Sequence, residues 1–105
     1  GAGRGHTLNF PLPAGTLGPA YMAVLDAAID AVIAKRCGVV VVSLGVDTFE
    51  KDPISKFKLN INDYLDIGRR LKRLGVPLLF VFEGGYSTDE VGLNAVNVLI
   101  GFERG

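Results

Sequence analysis

Hydrophobic residues recur along this chain in two patterns: continuous β-branched or aromatic runs, and stripes at helical spacing. The first run, residues 39–44, begins with four valines and leads through Gly45 to Asp47. Such a run is typical of a strand buried on both faces, as in a parallel sheet covered by helices. A second run, residues 77–82, leads through two glycines to Tyr86. If the two strands are parallel, Asp47 and Tyr86 lie at one edge of the sheet, where ligands bind in open α/β sheets.

Apolar stripes with a period near 3.6 residues predict three helices. The first covers residues 19–36, with a proline in its first turn. The second covers residues 60–74, where Asn60 and the aspartate three residues later form a weak capping box. The third follows Ser87 and Glu90, which match the capping-box pattern better. The first two helices precede the two buried runs along the chain, as crossover helices do.

A further β-prone segment, residues 7–12, alternates in polarity, and Pro11 places it near a strand end or at a sheet edge. The resulting order is β-α-β-α-β-α, which predicts a three-layer α-β-α fold with a parallel sheet and right-handed crossovers. A length of 105 residues fits one α/β domain covering residues 1–105. Residues 48–59 show no clear period, and a loop of this length in a compact domain is often functional.

Charge and composition narrow the classes of function. Basic and acidic residues both number 11, so the chain shows no electrostatic footprint for nucleic acid or an anionic membrane. No hydrophobic run has the length of a membrane span. Cys37 is the only cysteine, which excludes an intrachain disulfide and suits a reducing compartment such as the cytoplasm. We interpret Asp26, Asp30 and the basic cluster within residues 69–73 as solvated helix faces and ends rather than binding sites.

Asp47 and Tyr86 carry the candidate chemistry. An aspartate at a strand end can be a metal ligand, a general base or a helix-capping group. A tyrosine after two glycines can donate a hydrogen bond to an oxyanion, or it can pack as an ordinary aromatic residue. Gly84 and Gly85 let a substrate approach the backbone closely. A catalytic zinc usually takes three protein ligands. The chain holds one histidine, His6, so its residues alone indicate half of a hydrolytic site.

Six short motifs, taken in order, identify a resemblance to a known family. They are Ser-Leu-Gly-Val-Asp-Thr at 43–48, Asp-Pro-Ile-Ser at 52–55, Phe-Lys-Leu at 57–59, Glu-Gly-Gly-Tyr at 83–86, Gly-Leu-Asn at 92–94 and Asn-Val-Leu at 97–99. In this order they resemble the zinc-dependent deacetylases of the arginase–deacetylase fold, and more closely the acetylpolyamine amidohydrolases. The resemblance covers nearly the whole chain, and the ordered set is specific although each motif alone is weak.

The resemblance implies roles for five residues. In that family two aspartates and one histidine hold a zinc ion, paired histidines serve the attacking water, and a tyrosine polarises the acetyl carbonyl. By position, Asp47 matches the second aspartate ligand and Tyr86 matches the carbonyl-polarising tyrosine. Gly84 and Gly85 match backbone that lines the substrate tunnel, and Ile54 matches a wall residue of the pocket. The implied cofactor is Zn²⁺, and the implied substrates are acetylated polyamines or acyl-lysine-like amides.

The paired histidines and the Asp-x-His ligand motif of the family are absent from these 105 residues. We therefore expect the chain to correspond to the C-terminal third of such an enzyme, to bind zinc weakly and to be inactive alone. Because sheets of the family have more strands, we also expect an uncovered sheet edge and a homo-oligomer. Two alternatives stay open. One is a stand-alone, non-catalytic α/β module that self-associates, and the other is a small-ligand binding domain.

Overall fold

The computed structural model describes residues 2–53 and 56–105. Its regular elements are helix α1 (Gly18–Ala34), strand β1 (Val40–Leu44), helix α2 (Ile61–Leu71), a 3₁₀ turn (Lys72–Leu74), strand β2 (Leu78–Phe82) and helix α3 (Val91–Arg104). The α/β class that the sequence predicts is confirmed. None of the helices described here has both the length and the apolar character that crossing a membrane requires.

Strands β1 and β2 are parallel neighbours, as predicted. Their register runs from the pair Val40 and Leu78 to the pair Leu44 and Phe82. The prediction of a strand at residues 7–12 is wrong, because the described residues form a sheet of two strands only. Pro11 within the segment and Pro13 just after it remove backbone donors from any ladder, and most of the segment is exposed. The described order is therefore α-β-α-β-α rather than β-α-β-α-β-α.

Only one face of the sheet is covered by the described residues. Val42 and Phe80, which pair in the register, pack against the core on that face. On the opposite face Val41 and its partner Leu79 are 59% and 57% exposed, and Val81 is exposed as well. The prediction that the valine strand is buried on both faces is thus wrong for this part of the chain. Alternation along each strand leaves an apolar surface, which we call the open sheet face (residues 39, 41, 79 and 81).

The core lies between the covered face of the sheet and the three helices. Its buried members are Met22, Ile29, Leu44, Val46, Phe49, Leu59, Tyr64, Ile67, Leu71 and Val98. Helices α2 and α3 approach closely because glycines face each other's backbone. A methyl group at Gly68 would lie 1.9 Å from the Val98 carbonyl oxygen, and one at Gly101 would lie 2.0 Å from the Leu65 carbonyl oxygen. The interface between α2 and α3 therefore has no room for a side chain at either glycine.

The sequence predicts a capping box at the start of α2 and another at the start of α3, and the structure contains only the first of them. Asn60 and Asp63 form the predicted capping box of α2: each side chain accepts from the other's backbone N–H, at 3.0 and 2.8 Å. Helix α3 begins at Val91 without a side-chain cap. There the Ser87 hydroxyl donates to the Glu90 carboxylate instead of capping a backbone amide. The second capping-box prediction is therefore wrong.

Charged residues of α1 and of the end of α2 form ion pairs with each other. Arg73 contacts Asp30 at 2.6 Å and Asp26 at 3.2 Å, and Arg70 contacts Asp26 and, at 3.1 Å, Asp66. Most of the residues that we interpreted as solvated are exposed, and the network in addition joins two helices, which the sequence did not indicate. The paired side chains are between 29% and 65% exposed, so water screens each pair and each stabilises the fold only slightly. The network fixes orientation more than it adds stability.

Candidate active site

Asp47 and Tyr86 lie at the same edge of the sheet. The parallel pairing continues just beyond both strands, where the Val46 N–H donates to the Gly84 carbonyl at 2.9 Å. Asp47 directly follows the first of these residues, and Tyr86 lies two positions after the second. Both side chains therefore leave the sheet at its carboxyl edge, as the shared strand-then-glycine pattern predicts.

The side chains of Asp47 and Tyr86 meet at Gly84. A methyl group at Gly84 would lie 2.8 Å from Asp47 Oδ2 and 3.5 Å from Tyr86 Cε2. The other carboxylate oxygen, Oδ1, would lie 3.0 Å from a methyl group at Gly45. The half-buried carboxylate thus rests against two glycines, and any side chain at Gly84 would displace it. This close approach is the structural reason for glycine at that position.

The loop that carries Asp47 is held by Tyr64 of helix α2. The Tyr64 hydroxyl lies 2.8 Å from Thr48 Oγ1 and 3.3 Å from the Val46 carbonyl oxygen. A carbonyl only accepts, so Tyr64 donates to Val46 and accepts the hydrogen of Thr48. One phenol therefore bonds the residues on both sides of Asp47, and Tyr64 itself is fully buried.

Two neutral phenols lie near the Asp47 carboxylate. Burial raises the pKa of Tyr21, and the negative charge of Asp47 raises it further. Burial likewise raises the pKa of Tyr64, with smaller contributions from surrounding groups that include Asp47. Both phenols stay protonated at neutral pH, so they add no charge of their own beside the carboxylate.

Tyr86 is held through its backbone while its ring faces solvent. Its side chain is 48% exposed. The preceding Gly85 has a φ of 151°, and a methyl group there would lie 2.7 Å from a Val46 methyl and 2.8 Å from a Val91 methyl. Glycine is therefore required at Gly85 by both backbone conformation and space. The Tyr86 N–H donates to Asp52 Oδ2 at 2.8 Å.

The sequence did not indicate that the side chains of Tyr64 and Asp52 hold the loops of Asp47 and Tyr86 through hydrogen bonds. It placed Tyr64 correctly on the apolar side of α2, but nothing local to that helix indicates a bond to the Asp47 loop. Asp52 stands in one of the resemblance motifs, where an aspartate before a proline indicates a turn. The predicted roles of Gly84 and Gly85 in a substrate tunnel stay predictions. Ile54, the predicted pocket-wall residue, lies outside the described residues.

The described residues do not assemble a complete metal site. Asp47 fits one position in a zinc coordination shell, since it presents a half-buried carboxylate at the ligand-binding edge of the sheet. Across residues 2–53 and 56–105, no group of three or more histidine, cysteine, aspartate or glutamate side chains comes together as a metal site. His6 lines a separate cavity of about 290 Å³ with Phe10 and Lys35, beside helix α1.

The geometry nonetheless brings together two groups with complementary chemistry. A carboxylate such as Asp47 can bind a cation, and a neutral phenol such as Tyr86 can donate a hydrogen bond to a carbonyl oxygen that gains negative charge. Their common position against Gly84 places a carboxylate and a phenol side by side at one edge of the sheet. That combination is compatible with hydrolysis of an amide whose carbonyl oxygen accepts a hydrogen bond from the phenol.

Comparisons with known proteins agree on one family. The histone deacetylase domain matches residues 1–101. Acetylpolyamine amidohydrolase 2 of Pseudomonas aeruginosa is 50% identical over 103 residues, which cover 98% of this chain and 30% of that protein. Acetylpolyamine amidohydrolase of Mycoplana ramosa is 50% identical over 101 residues, covering 96% of this chain and 30% of that protein. The chain thus spans about 30% of the length of these relatives.

The fold agrees with solved structures as well. A crystal structure of acetylpolyamine aminohydrolase from Burkholderia pseudomallei superposes with a TM-score of 0.91 at 29% identity, covering 97% of this chain and 30% of that one. The structure of the histone deacetylase Clr3 superposes with a TM-score of 0.85 at 26% identity, covering 96% and 18%. The expected similarity to the deacetylase fold is therefore confirmed.

Proposed function

The chain belongs to the histone deacetylase domain family, and from that membership we propose that it forms part of a zinc-dependent amide hydrolase. Its substrates in this proposal are acetylated polyamines or acyl-lysine-like amides. One observation carries the proposal: the Asp47 carboxylate and the Tyr86 ring rest against the same residue, Gly84, at the carboxyl edge of a parallel sheet. The relatives with the highest identities cited above are named as acetylpolyamine amidohydrolases, which favours the acetylated polyamines.

In this proposal Tyr86 acts on the acetyl group of the substrate. Its hydroxyl donates a hydrogen bond to the carbonyl oxygen and stabilises the negative charge that develops there. Asp47 supplies one ligand for the zinc, which, when bound, would acidify a water molecule for attack. In this proposal the backbone at Gly84 and Gly85 lines the approach to the site.

We propose further that the chain works together with a segment that supplies the remaining ligands and the base. A catalytic zinc usually needs three protein ligands, and the described residues bring no group of three possible ligands together. Metal-assisted hydrolysis also needs a group that takes the proton of the attacking water. The 105-residue chain by itself is therefore expected to bind zinc weakly and to release no acetate from an acetylated polyamine above background.

A chimera tests this proposal directly. In it, the chain replaces the matched 30% of the Pseudomonas aeruginosa relative. We expect zinc-dependent hydrolysis by the chimera and none by the chain alone. Tyr86→Phe in the chimera should lower turnover on the order of a hundredfold or more, the scale seen when an oxyanion donor is removed. Asp47→Ala should lower the zinc content, measured by elemental analysis.

The control for Tyr86→Phe is Gly38→Ala, which adds a methyl group in open space before the start of β1, at the opposite end of the strand from Asp47, and should leave turnover within about twofold. Two results would contradict the proposal. One is a chimera that folds, binds zinc and shows no hydrolysis. The other is zinc-dependent turnover by the 105-residue chain alone that Asp47→Ala abolishes, because the chain would then hold a ligand set beyond Asp47.

The open sheet face favours a second candidate function, self-association without catalysis. Contiguous exposed apolar surface beside an uncovered strand edge promotes pairing with a second copy. We expect sedimentation of the chain to show oligomers at tens of micromolar, roughly the range of weak interfaces. Val41→Lys and Leu79→Lys together should shift the chain towards monomer, since these two residues pair on that face. A wild-type chain that stays monomeric would count against this candidate.

A further inference from the structure

Asp52 is a buried carboxylate that bridges the two loops of the candidate site. It lies in the loop after β1, five residues beyond Asp47, and is 6% exposed. Its Oδ2 accepts the backbone N–H of Tyr86, in the loop after β2, at 2.8 Å. Burying a charge is costly unless hydrogen bonds satisfy it, so such a residue needs a structural or functional reason. The bond to Tyr86 supplies one.

The loop that carries Asp52 is itself firmly anchored. The Asp52 N–H donates to the Phe49 carbonyl at 3.0 Å, which closes a tight turn. Phe49 forms a bridge with Leu59, and both side chains are almost completely buried. The Leu59 N–H also donates to the Thr48 carbonyl at 3.1 Å. The acceptor for the Tyr86 amide is therefore fixed to the core rather than to a free loop.

Tyr86 itself has few other restraints on its placement. Its ring is half exposed, and the residue before it is a glycine with a positive φ. The position of the phenol therefore depends on where the backbone of residue 86 is held. A hydroxyl that stabilises a developing oxyanion must lie within hydrogen-bond distance of it before reaction. The anchored Asp52 carboxylate can meet that requirement through the backbone amide.

We propose that Asp52 is a positioning residue, which sets the place of the Tyr86 phenol by holding its backbone amide. The proposal rests on the proposed function for its catalytic consequence but not for the hydrogen bond itself. Asp52→Ala removes the acceptor. Asp52→Asn keeps an oxygen acceptor of the same shape without the charge. The pair therefore separates loss of the hydrogen bond from loss of the charge.

The first measurement is amide hydrogen exchange in the 105-residue chain, followed by NMR. In Asp52→Ala, exchange at Tyr86 should become about tenfold faster or more, as expected when a hydrogen bond is lost. In Asp52→Asn it should stay close to wild type. The Val46 amide, which bonds the Gly84 carbonyl at the same edge, is the internal control and should not change. Equal acceleration of both amides, or none at Tyr86, would overturn the proposal.

The second measurement is steady-state kinetics in the chimera. We expect Asp52→Ala to lower kcat about tenfold or more with KM within about twofold, because a displaced oxyanion donor weakens transition-state binding alone. Asp52→Asn should restore most of the loss, because its amide oxygen keeps the acceptor for the Tyr86 N–H. An unchanged kcat, or equal loss in both variants, would overturn the catalytic part. If the wild-type chimera is inactive, the proposed function fails, and exchange at Tyr86 still decides the positioning role.

Discussion

Replacing Tyr64 with phenylalanine removes one oxygen atom from the support of Asp47. The ring is fully buried in the core and stays in place in Tyr64→Phe, so the change creates almost no cavity. What disappears is the hydroxyl that accepts from Thr48 and donates to the Val46 carbonyl. The substitution therefore tests whether the residues on both sides of Asp47 depend on this phenol.

The size of the effect follows from the two bonds. Each net hydrogen bond contributes about 1 kcal/mol, and leaving a buried acceptor such as the Val46 carbonyl without a donor costs about 1–3 kcal/mol. The Thr48 hydroxyl can turn to another acceptor, so we count its loss as small. We expect Tyr64→Phe to lower the free energy of unfolding by about 2 kcal/mol in total. For a domain near 100 residues this corresponds to a fall in Tm of about 10 °C.

The assay is thermal and urea unfolding of the 105-residue chain, followed by circular dichroism. Tyr21→Phe is the matched control, because its ring packs edge-on against Phe57 and no hydrogen bond to its hydroxyl occurs among the described residues. The control should change the free energy of unfolding by less than about 0.5 kcal/mol. Equal losses in Tyr64→Phe and Tyr21→Phe would refute the reasoning, since the effect would then come from phenol burial alone.

The same pair of variants predicts a pH dependence. Burial raises the pKa of Tyr64 and of Tyr21 above the unfolded value of about 10. A phenol whose pKa is higher in the folded than in the unfolded protein contributes its full stabilisation when the pH is below the unfolded pKa. This contribution is lost as the pH rises from the unfolded pKa towards the folded pKa. Wild-type stability should therefore fall above pH 10 or so, by up to about 1.4 kcal/mol per pH unit for each phenol. In each phenylalanine variant the free energy of unfolding should fall less steeply with pH above pH 10 or so. Slopes identical to that of the wild type would contradict the assignment of this pH dependence to the two phenols.

Two further substitutions test the packing of helix α3. Gly68→Ala should lower the free energy of unfolding by about 3 kcal/mol or prevent folding, because its methyl would meet the backbone of α3. The control Gly92→Ala has open space and should be neutral or stabilising by about 0.5–1 kcal/mol, and equal losses would contradict the argument. Asn94 is fully buried, and within the described residues both polar atoms of its amide lack a hydrogen-bond partner. Asn94→Leu should therefore change stability by less than about 1 kcal/mol or raise it, whereas a larger loss in urea unfolding would reveal a partner.

The sequence predicts the parts of this fold that depend on local pattern. The parallel strands, the three helices and the common edge of Asp47 and Tyr86 all follow from hydrophobic period and glycine position. The errors concern contacts between distant segments. Alternation of exposed and half-buried valines in β1 depends on what covers each face, and a run of four valines carries no information about that. The strand predicted at residues 7–12 fails for a similar reason, since a β-prone segment becomes a strand only beside a partner ladder.

The ion pairs and the supporting hydrogen bonds could not be predicted from the sequence either. Asp26 and Arg73 are 47 residues apart, and only the packing of α1 against the end of α2 brings them together. Tyr64 looks like any core aromatic at helical spacing until its hydroxyl is seen to reach the Asp47 loop. Asp52 looks like a turn residue until the Tyr86 amide is seen to donate to it. The charge pattern and the hydrophobic periodicity describe a single helix, strand or loop at a time, whereas these contacts join two such elements.

Asp47 and Tyr86 are supported from outside their own strands, and the two supports form one unit. Tyr64 bonds the loop of Asp47, and Asp52, in the continuation of that same loop, accepts the amide of Tyr86. Neither loop can shift without affecting the other, so the backbone of Tyr86 is held relative to the loop of Asp47 before any metal or substrate arrives. Such preorganisation avoids reorganisation during the reaction. In the proposed enzyme, a segment that supplies the remaining ligands must fit the loop arrangement that this chain sets. The half-exposed ring of Tyr86 is then the part left free to adjust.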